Sequence, residues 1–400
     1  MRALLRAAAN PHRVFPSVLV AGTNGKGSTS ATIASIFSAA GYRAALYTSP
    51  HLLKLNERWQ IDGHSIGNDE LLSHISRLRQ IVRQSSIEPT YFEALTMIAF
   101  LYFAERQCEA AVLEVGMGGR LDATNVVNPL AAVITPVGFD HTEYLGRKLS
   151  SIAREKGGII HRGCVAITSN RDPQVVDVLR RRANQLDVTL HEVAAETTAA
   201  SVKSLSDGFR FTLRTPRDRY VLTTPLSGRH QVENVSLAVR SVELLQESLP
   251  RLSRGAIVEG VRTTVWRGRL ERVVVNDKVV WVDGAHNAHG AERLADFIRF
   301  LPRPRTLVFG IMADKDWTAV TDVLFPLFDA GILTEPDDAR ALPANMLKHQ
   351  AGELRLPAVV RKGPVEALKL ALSRDPQTIV VCGSLYVAGS VLTFLDRRKR

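Results

Sequence analysis

The chain has only three cysteines among its 400 residues, and they lie far apart in the sequence, at Cys108, Cys164 and Cys382. They lack the spacing of a metal site. Two of them lie in or beside apolar runs, which is typical of buried thiols in a reducing compartment. The cysteine pattern therefore predicts a cytosolic protein.

The sequence also lacks an apolar run that could cross a bilayer. Its longest apolar stretch, residues 94–104, is too short and ends at Glu105 and Arg106. Near the N-terminus, Arg6 interrupts the apolar residues, and no convincing cleavage site follows. We therefore expect no transmembrane segment, no removable leader and no membrane partner.

Aromatic residues are scarce, at 6%, while the formal net charge is +11. The basic residues are scattered among acids, and their only tight run, residues 397–400, has no aromatic residues between its charges. A solvated tail is favoured over a nucleic-acid surface, which needs clustered charge and stacking groups. The charge also suits anionic small molecules. A P-loop ATPase stimulated by nucleic acid stays as an alternative, because the sequence pI is about 9.8.

A glycine-rich segment, VAGTNGKGST at residues 20–29, lies between an apolar run and a helical pattern. Strand, glycine turn and helix form the context of a phosphate-binding loop, in which backbone N–H groups and the helix N-terminus face an anion. The spacing differs from the common pattern, because Gly22 precedes Gly25 by three positions and Gly27 follows Lys26. We interpret the segment as a variant nucleotide loop in which Lys26 supplies a point charge to the outer phosphates.

Strand and helix patterns alternate along the chain, which predicts an α/β fold with a mostly parallel sheet covered by helices. The length predicts two domains. The pattern changes at residues 266–269, where a second strand–helix series begins. We predict a P-loop-type ATPase domain over residues 1–268 and a smaller doubly wound, Rossmann-like domain over residues 269–400. A hairpin is predicted from residues 208–214 and 220–224.

Polar side chains follow three predicted strands of the first domain. Glu114 ends the run 110–115, Ser49 follows the run 44–47, and Asp140 and His141 come soon after the run 131–135. Ligands bind at the carboxyl ends of strands in open α/β sheets, and hard oxygen donors suit Mg²⁺. Glu114 and Ser49 are therefore candidate magnesium ligands, and His141 is a candidate for metal or phosphate contact.

Three further segments are candidates for substrate contact. The glycine-rich and polar run at residues 116–125 suits a loop that closes over a substrate. In the second domain, Asp283 follows a strand and could hold a ribose hydroxyl or cap the next helix. Arg269 lies at the predicted hinge, where it could reach a nucleotide.

Taken together, these segments resemble the folylpolyglutamate synthase/dihydrofolate synthase family within the Mur ligase superfamily. The resemblance runs from about residue 10 to the C-terminus and is carried by ordered motifs: GTNGKGST (22–29), YTSPHL (47–52), TYFE (90–93), LEVGMGGRLDATN (113–125), DHTEYLG (140–146), REKGGII (154–160), HQVEN (230–234), RGRLE (267–271), DGAHN (283–287), GIMADKDW (310–317) and CGSLY (382–386). The family usually carries a longer segment before its phosphate loop, part of which contacts the pterin.

The resemblance implies specific roles for residues of this chain. The ATP-binding residues would be Asn24, Gly25, Lys26, Gly27, Ser28, Asn234, Arg269 and Asp283. The magnesium ligands would be Ser49, Glu114 and His141. The residues lining the folate site would be Tyr91, Phe92, Leu121, Asp122 and Ala123. His286 would bind glutamate, and Lys26, His141 and Lys156 would act in catalysis, with Lys156 carried as a carbamate.

The implied activity is ATP-dependent addition of L-glutamate to a folate or to dihydropteroate through an acyl phosphate, by a cytoplasmic monomer without nucleic-acid partners. Transfer of the γ-phosphoryl group gives the carboxylate a leaving group, with Lys26 and Mg²⁺ neutralising the developing charge. One alternative is a Mur-type ligase that acts on a cell-wall peptide precursor. Another is a folate or nucleotide binder without catalysis.

Overall fold

The computed structural model describes residues 1–374 and 376–398, so Lys399 and Arg400 of the predicted basic tail lie outside the described residues. Contacts between Cα atoms divide the chain into two compact units. Unit 1 comprises residues 1–225 and 231–265, and unit 2 comprises residues 226–230 and 266–400. The functional division at residues 268 and 269 stays a prediction.

The described residues of unit 1 form an eight-stranded sheet and a three-stranded sheet. The strands in chain order are β1 Ser17–Ala21, β2 Ala44–Tyr47, β3 Trp59–Ile61, β4 His64–Ser65, β5 Ala110–Glu114, β6 Ala131–Ile134, β7 Val165–Thr168, β8 Leu190–Glu192, β9 Thr198–Leu205, β10 Gly208–Arg214 and β11 Arg219–Thr224. The larger sheet has the order β4-β3-β2-β5-β1-β6-β7-β8. In this order, the strands β2, β5, β1, β6, β7 and β8 run parallel to one another.

Helices cover the larger sheet because its central strands are buried on both faces, as in other parallel sheets. The helices of unit 1 are α1 Arg2–Ala7, α2 Lys26–Ala39, α3 Asn68–Ser85, α4 Tyr91–Glu105, α5 Thr142–Leu145, α6 Leu149–Gly157, α7 Pro173–Gln185, α8 Val193–Glu196, α9 His230–Leu244 and α10 Arg254–Thr263. The first residue of α9, His230, is grouped with unit 2.

The described part of unit 2 contains a six-stranded sheet of order β12-β13-β17-β14-β15-β16. Its strands are β12 Glu271–Val275, β13 Lys278–Val282, β14 Arg305–Phe309, β15 Ala330–Leu333, β16 Ala358–Val360 and β17 Thr378–Cys382. Its helices are α11 Ala288–Ile298, α12 Trp317–Leu324, α13 Ala344–Glu353, α14 Pro364–Ser373 and α15 Leu385–Arg398. Only β12 is antiparallel to its neighbour, which gives the doubly wound pattern with one antiparallel edge.

The predicted fold class is confirmed. The structure differs from the sequence prediction at the edge of the three-stranded sheet. Strand β9 was not predicted, and it turns the expected hairpin into a three-stranded sheet with β9 at one edge. Seven of its eight residues are exposed, so its sequence lacks the alternation that marks a half-buried strand. Within the described residues, no helix combines the length and apolar character needed to cross a membrane.

Candidate functional site

The glycine-rich loop connects β1 to α2 at the centre of the larger sheet. Gly25 precedes the first residue of α2 and has a φ of +85°, a conformation that side chains with a Cβ rarely adopt. A Cβ on Gly25 would also lie 2.5 Å from the side-chain oxygen of Asn234. The close approach of Asn234, which is buried, therefore requires glycine at this position.

Lys26 folds back over the loop from the first turn of α2. Its Nζ donates hydrogen bonds to the backbone carbonyls of Gly22 and Thr23, both at 3.1 Å. The Thr23 hydroxyl and the backbone of Gly138 exchange hydrogen bonds at 3.0 Å, which fixes the loop against the segment that follows β6. The cation is thus held within the loop that would receive phosphates.

The predicted magnesium ligands follow strands that are neighbours in the sheet. The order β2-β5-β1-β6 brings together the carboxyl ends that lead to Ser49, to Glu114, to the glycine loop and to His141. The backbone N–H of Ser49 lies 3.4 Å from Oε2 of Glu114, and the Glu114 side chain is buried. A buried carboxylate and a serine hydroxyl are oxygen donors of the kind that Mg²⁺ prefers, so the residue types fit the ion.

His141 lies on the next loop along, where it lines a pocket. The pocket is lined by Gly22, Thr23, Lys26, Val115, Gly116, Met117, Gly118, Asp140, His141, Leu145 and Lys156. Nε2 of His141 lies 3.9 Å from Oδ1 of Asp140. Among the residues described, no group of three or more His, Cys, Asp or Glu side chains is placed to bind a metal. The predicted set contains only two such residues, so the joint ligation by Ser49, Glu114 and His141 stays a prediction.

Lys156 is buried in α6, and its side chain reaches the glycine loop that follows β1. Its Nζ donates a hydrogen bond of 2.7 Å to the carbonyl of Gly22. Burial, together with the nearby charge of Lys26, lowers the pKa of Lys156 to about 7, and the carboxylates of Asp140 and Asp122 oppose this shift. A large fraction of this amine is therefore neutral near pH 7.

The loop at residues 116–125 is organised by the carboxylate of Asp122. One oxygen accepts hydrogen bonds from the backbone N–H groups of Gly116 and Met117, at 3.1 and 3.2 Å. The other accepts from the N–H and hydroxyl of Thr124, at 2.9 and 2.7 Å. Burial raises the pKa of Asp122, and these hydrogen bonds oppose that shift. The side chain thus fixes the loop around the pocket.

The same loop is fastened to α6, the helix that carries Lys156. The N–H of Arg120 donates to the carbonyl of Glu155 at 2.8 Å, and the two side chains form an ion pair at 3.0 Å. Asn125 donates to the carbonyls of Arg120 and Gly158, both at 3.1 Å. A Cβ on Gly119 would lie 2.6 Å from the Glu155 carbonyl. The glycine therefore allows the contact that sets the position of Lys156.

The predicted folate residues lie in the loop at residues 116–125 and at the start of α4. Phe92 packs its ring against Gly116 and lies 6.3 Å from the ring of Tyr47. Tyr91 and Leu121 are 69% and 79% exposed, so both side chains are accessible to a ligand. Ala123 is buried. Their contact with a folate stays a prediction.

Unit 2 contains the remaining predicted residues. Asp283 follows β13, and its carboxylate accepts hydrogen bonds from the N–H groups of Leu270 and Ala285, at 2.8 and 2.7 Å. Burial raises its pKa, opposed by Arg269. Asn287, not Asp283, caps α11, so the capping interpretation of Asp283 is wrong. Nδ1 of His286 lies 2.7 Å from the carbonyl of Gly284.

Sequence reasoning missed two contributors to the pocket. The glycine-rich motif assigns no role to Thr23, although its hydroxyl joins two loops. The strand-end pattern assigns no role to Asp140, although its charge acts on Lys156. The signal for Asp140 was present, because acids at the carboxyl ends of parallel strands face the ligand site. Nothing in the sequence pattern indicated the contacts of Thr23.

Comparison with known proteins identifies the family. Residues 20–242 match the Mur ligase middle domain, and residues 268–385 match the Mur ligase glutamate ligase domain. The chain is 34% identical to folylpolyglutamate synthase of Lacticaseibacillus casei, over 97% of this chain and 92% of the relative. It is 33% identical to dihydrofolate synthase/folylpolyglutamate synthase of Bacillus subtilis (strain 168), over 98% and 93%.

A solved structure supports the same relationship. Mycobacterium tuberculosis folylpolyglutamate synthase complexed with ADP and AMPPCP superimposes with a TM-score of 0.92 at 33% identity, covering 98% of this chain and 94% of that one. The chain belongs to the folylpolyglutamate synthase/dihydrofolate synthase family of Mur ligases.

Proposed function

We propose that this protein is an ATP-dependent ligase that joins L-glutamate to the carboxylate of a folate, of dihydropteroate or of both. The observation that carries the proposal is the pocket in which Lys26 and the buried Lys156 both donate to the carbonyl of Gly22. It lies at the carboxyl ends of β1, β5 and β6, in a chain that matches a family member over 97% of its length. The complexes of the Mycobacterium tuberculosis relative with ADP and AMPPCP support ATP as the nucleotide.

The first task of the site is to bind the triphosphate of ATP. The N–H groups of residues 25–28, at the N-terminus of α2, provide donors and a favourable dipole for phosphate oxygens. Lys26 would move from its carbonyl partners onto the outer phosphates. Ser49, Glu114 and His141 would hold Mg²⁺, which supplies further neutralisation of phosphate charge when it is bound. Asn234 would contribute a nucleotide contact from α9, and Arg269 and Asp283 would contribute theirs from unit 2.

The second task is to activate a carboxylate that does not react with amines in water. A carboxylate oxygen of the folate attacks the γ-phosphorus, the bond to the β–γ bridging oxygen breaks, and ADP leaves. The product is an acyl phosphate. The amine of glutamate then attacks the acyl carbon, a tetrahedral intermediate forms, and inorganic phosphate leaves with the amide in place. Tyr91, Phe92, Leu121, Asp122 and Ala123 would contact the folate, and His286 would contact glutamate.

Lys156 suits a carbamate because a neutral amine can attack CO₂. The neutral nitrogen forms a bond to the carbon of CO₂ and releases one proton, which converts the neutral amine into an anionic carbamate. The pKa of about 7 supports this reaction at neutral pH, because an ordinary lysine keeps its proton there. The resulting carboxylate would help to bridge metal ions near the phosphates, and Lys156 and His141 would then act with Lys26 in catalysis.

The proposal extends to the organisation and location of the protein. We propose that residues 1–268 bind ATP and residues 269–400 form the glutamate ligase domain, in a cytoplasmic monomer with small-molecule partners only. All three cysteines are buried and free, which supports a reducing compartment. The scattered positive charge suits ATP, a folate and glutamate, without a nucleic-acid or membrane partner.

A substrate panel tests the proposed function. The protein would be incubated with ATP, Mg²⁺ and L-glutamate, together with dihydropteroate, tetrahydrofolate or a UDP-linked peptide, and products would be identified by mass. We expect a mass increase of one glutamyl residue on a folate or on dihydropteroate. A product from the UDP-linked peptide alone would replace the proposal with a cell-wall ligase. ATP turnover that requires nucleic acid would replace it with the ATPase alternative.

A further inference from the structure

The turn at residues 267–271, of sequence RGRLE, carries Arg269 at its centre. The turn begins close to the boundary between the two units, which falls after residue 265, and it leads into β12. The Arg269 side chain lies against Gly284, because a Cβ on that glycine would be 3.0 Å from Nη1 of Arg269. Since Arg269 is the residue assigned to the nucleotide, the conformation of this turn determines where that contact is offered.

The backbone on both sides of Arg269 is left-handed. Gly268 has a φ of +70°, and Leu270 has a φ of +47°. Glycine adopts this conformation readily, but a side chain with a Cβ makes it unfavourable. Leu270 therefore keeps its conformation only because the contacts around the turn fix it.

One group of contacts joins the turn to the segment that follows β13. The N–H of Leu270 donates to Oδ2 of Asp283 at 2.8 Å. The N–H of Gly284 donates to the carbonyl of Gly268 at 3.0 Å. These two hydrogen bonds hold the backbone on either side of Arg269 against one short segment.

A second group of contacts is built on the carboxylate of Glu271, the first residue of β12. Its Oε2 accepts from the N–H of Gly268 at 2.9 Å. Its Oε1 accepts from Nε and Nη2 of Arg267 at 3.1 and 2.7 Å. The first and last residues of the turn are thus joined by their side chains, and the carboxylate also holds the backbone just before Arg269.

The same guanidinium group reaches the last turn of α15. Nη1 and Nη2 of Arg267 donate to the two oxygens of Asp396 at 2.6 and 3.1 Å. The two side chains are 34% and 41% exposed, and exposed ion pairs add little to stability because water screens them. A planar guanidinium group bound along two edges is nevertheless fixed in orientation, because its donors lie in one rigid plane.

We infer that Arg267 is a positioning residue for nucleotide binding. Held between Glu271 and Asp396, it fixes the turn so that Arg269 is presented to the nucleotide in one conformation. Helix α15 thereby contributes to nucleotide binding through Asp396. The inference rests on the proposed function, since it concerns how the chain places a residue assigned to the ATP site.

The affinity for ADP, measured by titration calorimetry, tests this role without requiring ligation. Arg267→Gln removes the charge and the fork, and it should weaken ADP binding about 10-fold, because a displaced binding group loses much of its contact. Asp396→Asn should weaken binding less, since Glu271 still holds the guanidinium group. Arg267→Lys should restore part of the affinity. Arg299→Gln is the matched control, because it removes an exposed ion pair with Asp296 beside α11 and should leave the affinity unchanged.

A double variant shows whether Arg267 acts through Arg269. If it does, Arg267→Gln combined with Arg269→Gln should bind ADP no more weakly than Arg269→Gln alone, because the residue to be positioned is already absent. Losses of affinity that add in the double variant would overturn the inference. An ADP affinity of Arg267→Gln equal to that of the wild type would also overturn it, even if the variant unfolds at a lower temperature.

Steady-state kinetics separate positioning from a general loss of structure. Arg267→Gln should raise the KM for ATP, with the KM for glutamate and for the folate within about two-fold of the wild-type values. An equal rise in all three KM values would overturn the inference. A wild-type protein that binds ADP but ligates glutamate to no folate would overturn the proposed function instead, while the ADP titrations would still decide the role of Arg267.

Discussion

At the scale of single residues, two lysines donate hydrogen bonds to the same backbone carbonyl. Lys26 and Lys156 both donate to Gly22, and their Nζ atoms lie 3.1 and 2.7 Å from its carbonyl oxygen. Two ammonium groups that donate to the same carbonyl oxygen repel each other. Burial makes the positive charge of Lys156 the more costly of the two. The pocket thus favours one cation for phosphates and one neutral amine.

Lys26→Ala should abolish ligation and leave the fold intact. The side chain is only partly buried and its hydrogen bonds go to loop carbonyls, so its loss should change the melting temperature little. Product formation and thermal unfolding would be measured beside Lys203→Ala, a control at an exposed position of β9. Ligation at the wild-type rate in Lys26→Ala would contradict a role in phosphate binding.

Lys156→Ala should lose activity and regain part of it with short carboxylates such as acetate. The added carboxylate would occupy the volume of the missing side chain and restore the anion that the carbamate supplies. Initial rates would be measured over a range of acetate concentrations, with chloride as the control for ionic strength. Equal rates with acetate and chloride would argue against the carbamate.

The lowered pKa of Lys156 also predicts a pH dependence of stability. Between about pH 7 and pH 10.5, the unfolded chain holds a proton that the folded lysine has released. The unfolding free energy contributed by this group should therefore rise as the pH increases through that window. Denaturant unfolding of the wild type and of Lys156→Met would be compared at pH 7 and pH 10. A stability difference that does not change with pH would show that the pKa of Lys156 is ordinary.

At the scale of elements, the pocket depends on the contact between the loop at residues 116–125 and α6. Gly119→Ala would place a methyl group 2.6 Å from the carbonyl of Glu155 and 3.0 Å from that of Lys156, so the backbone must shift. We expect a loss of about 1–3 kcal/mol in unfolding free energy, as for overpacked sites, together with a lower kcat. Gly255→Ala is the control, because its Cβ would meet nothing closer than 3.8 Å. Equal stability of the two variants would contradict the close contact.

The elements with strong patterns were predictable, and the contacts between them were not. The apolar run at residues 44–47 coincides with the observed strand β2, because buried parallel strands are continuous apolar segments. Strand β15, which is short and contains Gly331, was missed. The burial of Lys156 was also not predictable from its motif, since it depends on how closely Gly119 lets a distant loop approach α6.

At the scale of the whole molecule, the chain combines a net charge of +11 with an arrangement suited to three anionic reactants. Charge of one sign raises the local concentration of substrates of the opposite sign. The basic residues are spread along the sequence, apart from the run at residues 397–400. Composition thus indicated the class of substrate, whereas the reaction followed from ordered motifs and the geometry of the pocket.

The central claim is that a folate carboxylate is activated as an acyl phosphate. It is tested most directly with a folate substrate labelled with ¹⁸O in the reacting carboxylate, followed by mass analysis of the inorganic phosphate released during ligation. The account predicts that each phosphate released carries one ¹⁸O atom, because the carboxylate oxygen that attacks phosphorus leaves with it. Unlabelled phosphate, released while glutamate is ligated, would contradict the account.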